Sequence, residues 1–141
     1  MGKQRPKAQN MGKYIHIYTP QKTINYENYI KYCYYESNQD KEPFINGEKL
    51  KAVIKIFQKI PISTSKKKAN LMRLGIERPT KKPDIDNILK VVFDGLNGLA
   101  YKDDTQIIEL EASKFYSDTP RIELTLIELE LNQEPKNLFN I

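Results

Sequence analysis

The stretch that decides the fold is Lys81–Leu110, K-K-P-D-I-D-N-I-L-K-V-V-F-D-G-L-N-G-L-A-Y-K-D-D-T-Q-I-I-E-L. Five aspartates fall within 21 residues here: Asp84, Asp86, Asp94, Asp103 and Asp104. Two of them flank the start of a helical pattern, and two more are adjacent at a turn before a strand. Because carboxylates from separate elements can surround a hard cation, this stretch is the candidate centre of a metal site.

The apolar residues of this stretch recur at helical spacing. They are Ile85, Leu89, Val92, Leu96 and Leu99, at intervals of 4, 3, 4 and 3 positions, and they predict an amphipathic helix over Ile85–Asn97. We expect Asp84 at or just before the N-cap, and Gly95 and Gly98 at the helix end. A turn of about 100° per residue places Asp86, Lys90 and Asn97 on a neighbouring face, with Asp94 further round and structural.

The remaining elements predict an α+β fold. Strands are expected at Tyr14–Tyr18, Leu50–Phe57, Ile107–Tyr116 and Arg121–Leu129, and helices at Thr23–Tyr35 and from the Ser63–Ser65 cap candidates to Gly75. The last two strands, joined by Ser117–Pro120, are expected to form an antiparallel hairpin. We therefore predict one small two-layer domain, a mixed or antiparallel sheet against two or three helices, over residues 1–130. Residues 1–13 read as a basic arm and 131–141 as a flexible C-terminal tail.

Composition limits the classes of protein to consider. The chain has 141 residues, 39% of them hydrophobic, which suits a soluble globular domain. A single cysteine excludes an internal disulfide, and a single histidine leaves too few ligands for a zinc site. No apolar run approaches the ~20 residues of a membrane helix, so we expect a cytoplasmic protein without a membrane partner.

Charge is divided unevenly along the chain. Residues 1–83 hold 18 Lys/Arg and 6 Asp/Glu, whereas residues 84–141 hold 5 Lys/Arg and 12 Asp/Glu. A basic half beside an acidic patch suits a protein that binds a polyanion next to a cation site. A basic surface without a specific partner is the alternative.

Each acidic pair also has a purely structural interpretation. Asp84 and Asp86 suit a helix start because the helix dipole favours carboxylates there, and Asp103-Asp104 suits a turn. Lys90 could form an ion pair with Asp86 one turn earlier, or it could face a scissile phosphate. A strand beside the helix could instead bring Asp104 close to Asp84 and Asp86. Three such carboxylates need a cation, and Mg²⁺ suits a site completed by water and phosphate oxygens.

The sequence resembles the RusA family of Holliday junction resolvases. The resemblance lies in K-P-D-I-D-N-I-L-K, D-G-L-N-G and Y-K-D-D-T-Q-I, in the upstream segments G-K-Q-R-P-K, Y-T-P-Q-K-T and S-K-K-K, and in S-K-F-Y around Lys114. It spans roughly residues 3–129. Family members usually carry an apolar strand before the G-K-x-R-P segment, so either that strand lies outside this sequence or the sheet edge is built differently.

The resemblance implies a homodimer that nicks four-way DNA junctions in recombination and repair. Carried over by position, Asp84, Asp86 and Asp104 would bind Mg²⁺, with Mn²⁺ as a substitute and Asp103 as the reserve ligand, and Lys90 would be the catalytic lysine. No small-molecule cofactor is implied, and the gene would be bacterial or prophage-encoded. The expected DNA-binding residues are the basic ones of the arm and the second helix, with one on a strand: Lys3, Arg5, Lys7, Lys13, Lys66, Lys67, Lys68, Arg73 and Lys114.

Two other classes of function remain open at this point. One is a branched-DNA-binding protein without significant cleavage, and the other is a scaffold whose acidic half binds a basic partner. A nicking assay on a four-way junction, with and without Mg²⁺, separates these from a nuclease.

Overall fold

The computed structural model describes residues 13–17, by their backbone, and residues 26–130, so most of the predicted arm and all of the predicted tail lie outside it. The described elements are β1 (Lys13–Ile17), α1 (Tyr26–Ser37), β2 (Leu50–Lys59), α2 (Lys66–Arg73), α3 (Ile85–Leu96), β3 (Ile107–Ser117) and β4 (Arg121–Glu128). A short 3₁₀ turn, Asp104–Gln106, precedes β3. The predicted α+β class is confirmed.

Within the described residues the sheet has four strands, in the order β1-β4-β2-β3. β2 is antiparallel to β4 and parallel to β3, while β4 is also antiparallel to β1. The predicted hairpin between β3 and β4 is therefore wrong, because β2 lies between them. Neighbouring strands lie ~4.8 Å apart, so β3 and β4 are separated by about twice that distance. The connection of residues 117–120 can span up to ~14 Å and therefore passes β2.

One face of the sheet carries the core. The inward side chains of β2 and β4 are almost fully buried: Leu50, Ala52, Ile54, Ile56, Ile122, Leu124 and Leu126. They pack against α1 and α3, so the domain has one sheet layer and one helix layer. α2 packs separately, through a small cluster of Ala69, Met72, Ile60 and Tyr116.

α3 begins where the sequence predicted. Asp84 is its N-cap residue, and the buried side of the helix is formed by Ile88, Val92, Gly95 and Leu96. Gly95 is inside the helix, while Gly98, with φ of +81°, makes the turn beyond it. The predicted stripe missed Ile88, which is more buried than Ile85 and Leu89 on either side.

No helix within the described ranges is both long and apolar enough to cross a membrane.

Candidate active site

Two carboxylates at the N-terminus of α3 have no ion-pair partner among the described residues. The Asp84 side chain makes no capping hydrogen bond, although its backbone occupies the N-cap position. Asp86 is exposed, and its Oδ1 accepts only a local hydrogen bond from the Asn87 N–H, at 3.0 Å. The positive end of the helix dipole stabilises both carboxylates. Their oxygens are consequently available to a cation.

The segment before Asp84 is held by side chains from the sheet. Lys114 Nζ on β3 donates to the carbonyl oxygens of Lys81 at 2.6 Å and of Pro83 at 2.9 Å. Gln58 Nε2 on β2 donates to the carbonyl oxygen between them, that of Lys82, at 3.3 Å. Three consecutive carbonyls are thus fixed to two adjacent strands, and the peptide enters α3 in a defined position.

Lys90 lies on the same helix, one turn after Asp86. It is exposed, and no ion pair between it and Asp86 occurs in the described part of the chain. The structural interpretation of Lys90 as an ion-pair partner therefore finds no contact to support it. Its ammonium group is available to an anion beside the carboxylate pair.

A second acidic group lies at the other end of α3. It consists of Asp94, Asp103 and Asp104, of which Asp104 is partly buried. The pKa of Asp104 is raised above its ordinary value. The causes are partial burial, the charge of the adjacent Asp103 and a hydrogen bond with it, and the charge of Asp94. Because this repulsion would be relieved by a positive charge, these carboxylates also suit a cation.

Asn97 fixes Asp104 at this end of the helix. Its Oδ1 accepts a hydrogen bond from the Asp104 N–H, at 3.1 Å. Nearby, burial and the surrounding carboxylates raise the pKa of Tyr101 well above its ordinary value. The Tyr101 hydroxyl therefore stays protonated and donates to the Phe93 carbonyl oxygen at 2.8 Å.

Gln106 holds the loop that carries Asp103. Its Oε1 accepts from the N–H groups of Lys102 at 2.9 Å and Asp103 at 3.1 Å. Its Nε2 donates to the carbonyl oxygens of Phe44 at 3.1 Å and Glu48 at 3.0 Å. One side chain therefore joins the acidic loop to the segment before β2.

The two acidic groups are separated along α3. From Asp86 to Asn97 the helix axis advances by about 16 Å, at ~1.5 Å per residue. Asp104, tied to Asn97, is next to Asp94 rather than Asp84, and no three Asp, Glu, His or Cys side chains among the described residues converge on a common metal position. From the sequence we expected Asp94 to lie further round the helix and to have a structural role. In the structure, its charge helps to raise the pKa of Asp104.

The carboxylates suit a hard cation by their chemistry. In residues 26–130, none of the five aspartates forms an ion pair with lysine or arginine. Mg²⁺ needs only one or two protein carboxylates when water and phosphate oxygens complete its octahedron. The pair Asp84 and Asp86 meets that requirement without the third acid.

The predicted DNA-binding residues have different environments. Lys66, Lys67 and Lys68 are exposed on α2. Arg73 instead binds Asp118 through two nitrogens, at 2.8 and 3.1 Å, and Lys114 donates to the two carbonyls described above. Lys3, Arg5 and Lys7 lie outside the described residues, and Lys13 is described only by its backbone.

Three positioning residues escaped the sequence analysis: Gln58, Asn97 and Gln106. Only Gln106 had a local signal, since an acid followed three positions later by Gln is the pattern of a capping box. Gln58 and Asn97 act on segments that a linear pattern does not show to be near.

The comparisons with known proteins agree with these observations. The family model described as endodeoxyribonuclease RusA matches residues 1–127. The protein YqaN of Bacillus subtilis (strain 168) is 37% identical over 127 residues, covering 89% of this chain and 87% of that protein. The crossover junction endodeoxyribonuclease rusA of Lactococcus phage r1t is 41% identical over 51 residues, covering 36% of this chain and 39% of that protein.

A family match across nearly the whole chain therefore coincides with a helix whose exposed carboxylates and lysine form no ion pair with any described residue. The chain belongs to the RusA family of endodeoxyribonucleases, enzymes that hydrolyse DNA at crossover junctions.

Proposed function

We propose that this protein resolves four-way DNA junctions by Mg²⁺-dependent hydrolysis of the phosphodiester backbone. The observation that carries the proposal is the carboxylate pair Asp84 and Asp86, with Lys90 one turn further along α3; none of the three forms an ion pair within residues 26–130. Junction resolution places the enzyme in DNA recombination and repair in the cytoplasm. Mn²⁺ is expected to substitute for Mg²⁺.

Asp84 and Asp86 would supply the first protein ligands of the ion. When bound, the ion would activate a water molecule and stabilise the charge of the leaving oxygen. Lys90 would hold the scissile phosphate and stabilise the negative charge that develops on it. Lys114 and Gln58 would keep the peptide before Asp84 in place, so the carboxylates need little rearrangement when DNA binds.

Asp104 is the proposed third ligand, with Asp103 as its reserve. Its raised pKa supports the proposal, because such a carboxyl gains most from a nearby cation. Because Asp104 is tied to Asn97 at the other end of α3, it can join Asp84 and Asp86 at one ion only through loop movement or from a second subunit. Otherwise it binds a separate ion beside Asp94. Metal titration of Asp104→Asn distinguishes these arrangements, because a separate ion leaves the affinity at Asp84 and Asp86 unchanged.

Homodimerisation is supported by the edge strand β3. Ile108 and Leu110 are 51% and 46% exposed there, and they share a shallow groove with Phe93 and Asp104. A second copy covering this groove would bury both side chains and provide the two active sites that paired nicks require. Sedimentation velocity should show a dimer, and Leu110→Lys should convert it to a monomer; a wild-type monomer that is active at the same concentration contradicts this arrangement.

A nicking assay on a synthetic four-way junction tests the central proposal. The wild-type protein should cut only with Mg²⁺ or Mn²⁺, and Asp86→Asn should lose at least ~100-fold in rate while still binding the junction. Glu36→Gln, an exposed acid on α1, is the matched control and should cut normally. Cleavage in EDTA, or an active Asp86→Asn, would refute the mechanism.

A further inference from the structure

A basic cleft opens between the N-terminus of α2 and the loop of residues 77–81. Three cationic side chains line it: Lys68 from α2, and Arg78 and Lys81 from the loop. Hydroxyl-bearing side chains complete much of the remaining wall, among them Ser63, Thr80 and Tyr116. Among the described residues that line the cleft, Glu77 is the one acidic side chain, so these residues together carry a net positive charge.

The cleft is rigidly attached to the candidate active site. Arg78 Nε donates to the Lys114 carbonyl oxygen at 2.6 Å, and its guanidinium lies 4.1 Å from the centre of the Phe115 ring. The Lys81 carbonyl oxygen accepts a hydrogen bond from the Lys114 ammonium group, at 2.6 Å. The same lysine on β3 therefore touches both the cleft loop and the peptide that leads to Asp84.

The short chain between the cleft and the carboxylates limits how far apart two bound phosphates could lie. Lys81 precedes Asp84 by three residues, which span at most ~10 Å of extended chain. Successive nucleotides of one strand advance by ~3.4 Å along a duplex. A phosphate in the cleft would therefore lie within about three nucleotides of one held at Asp84 and Asp86.

We propose that this cleft binds a backbone phosphate of the cleaved DNA strand, close to the scissile phosphate. The inference rests on the proposed nuclease function and specifies where the substrate strand enters. Lys68 and Lys81 neutralise the phosphate charge, while the neighbouring hydroxyl groups donate hydrogen bonds to its oxygens. Arg78, already fixed by Lys114 and Phe115, keeps the loop wall in place.

A general basic surface would behave differently, and a neighbouring lysine separates the two cases. Lys82 adjoins Lys81 in the loop, yet it does not line the cleft. Lys81→Ala and Lys82→Ala remove the same charge from almost the same place. A cleft requires Lys68 and Lys81 specifically, whereas a diffuse surface attraction weakens equally in Lys68→Ala, Lys81→Ala and Lys82→Ala.

The experiment measures binding of the full-length protein to a synthetic four-way junction in EDTA, across a salt series. Lys68→Ala and Lys81→Ala should each weaken binding about three- to tenfold and reduce the salt slope by ~1. Lys82→Ala should lose no more than about twofold. The double variant Lys68→Ala/Lys81→Ala should lose less than the product of the single losses, because both lysines contact one phosphate.

The outcomes also separate this inference from the proposed function. Equal losses in Lys68→Ala, Lys81→Ala and Lys82→Ala overturn the proposed phosphate site in the cleft, whether or not the wild-type protein cuts DNA. If the cleft lysines are specific but the wild-type protein cuts no junction with Mg²⁺, the phosphate site stands and the proposed function fails. Thermal denaturation of each variant shows that a loss of binding is not a loss of folding.

Discussion

The Nζ atom of Lys114 lies 2.9 Å from the carbonyl oxygen of Pro83, so an edge strand of the sheet holds the peptide that begins α3. Lysine on an otherwise apolar strand face requires a partner, and here the partner is backbone rather than phosphate. The sequence-based assignment of Lys114 to DNA binding thus acquires a competing interpretation that experiment can separate.

We predict that Lys114→Met loosens the entry to α3. Two carbonyl acceptors lose their donor, so Tm should fall by about 3–8 °C and Mg²⁺ affinity by about three- to tenfold. Calorimetry and thermal denaturation measure these effects, with Lys55→Met, on the opposite face of β2, as the control. If Lys114 binds DNA instead, Tm stays constant while junction affinity in EDTA and its salt slope decrease.

Lys90→Ala should impair chemistry without impairing stability. The ammonium group makes no ion pair with Asp86 in the described structure, so its removal should shift Tm by less than about 2 °C. Loss of transition-state stabilisation should lower the single-turnover cleavage rate by ~10²–10³-fold. Lys102→Ala, exposed near the other acidic group, is the control. A large fall in Tm would instead assign Lys90 a structural role.

Asp104→Asn should stabilise the metal-free protein at neutral pH. The pKa of Asp104 is raised by burial, Asp103 and Asp94, so the folded state disfavours the ionised form. Removing that charge should raise Tm by roughly 1–3 °C at pH 7. The gain should shrink as pH falls through the raised pKa, and it should vanish below the ordinary carboxyl pKa, where both states bind the proton. Denaturation at several pH values checks the sign, and a gain that grows toward low pH is incompatible with it.

Gln106→Ala should destabilise the folded protein strongly, although Gln106 is only partly buried. Its amide satisfies two backbone N–H groups and two backbone carbonyls, so its loss should reduce the free energy of unfolding by about 2–4 kcal/mol. Urea denaturation measures this change, and Gln39→Ala, exposed after α1, provides the comparison. A change below about 0.5 kcal/mol would show that water replaces these hydrogen bonds.

The local parts of the site were accessible to sequence reasoning. Pro83 and Asp84 mark the helix start, and the apolar periodicity from Ile85 onward sets its buried side. Asp84, Asp86 and Lys90 therefore follow directly from spacing along one helix. Their proposed roles still depend on the resemblance and on the assays above.

The long-range parts were not accessible. A four-residue turn between two strands favours a hairpin, but β2 lies between β3 and β4 and pairs with both. The alternation of apolar and polar residues does not reveal the order of strands in a sheet. Likewise, the Asn97 amide fixes Asp104 at the C-terminal end of α3, whereas the sequence allowed it to approach Asp84. Amide side chains that bind distant backbone groups produce no periodic pattern in the sequence.

The hydrogen bonds that shape the site close long loops of chain. Lys114 reaches back 33 residues to Lys81, and Gln106 reaches back 62 residues to Phe44. Contacts of such separation form only after those loops have closed, and they slow folding. During synthesis the basic half of the chain leaves the ribosome first, while the carboxylates still lack a fixed geometry. We therefore expect a nascent chain to bind nucleic acid before it can cut it, and cutting to begin only when β3 has docked.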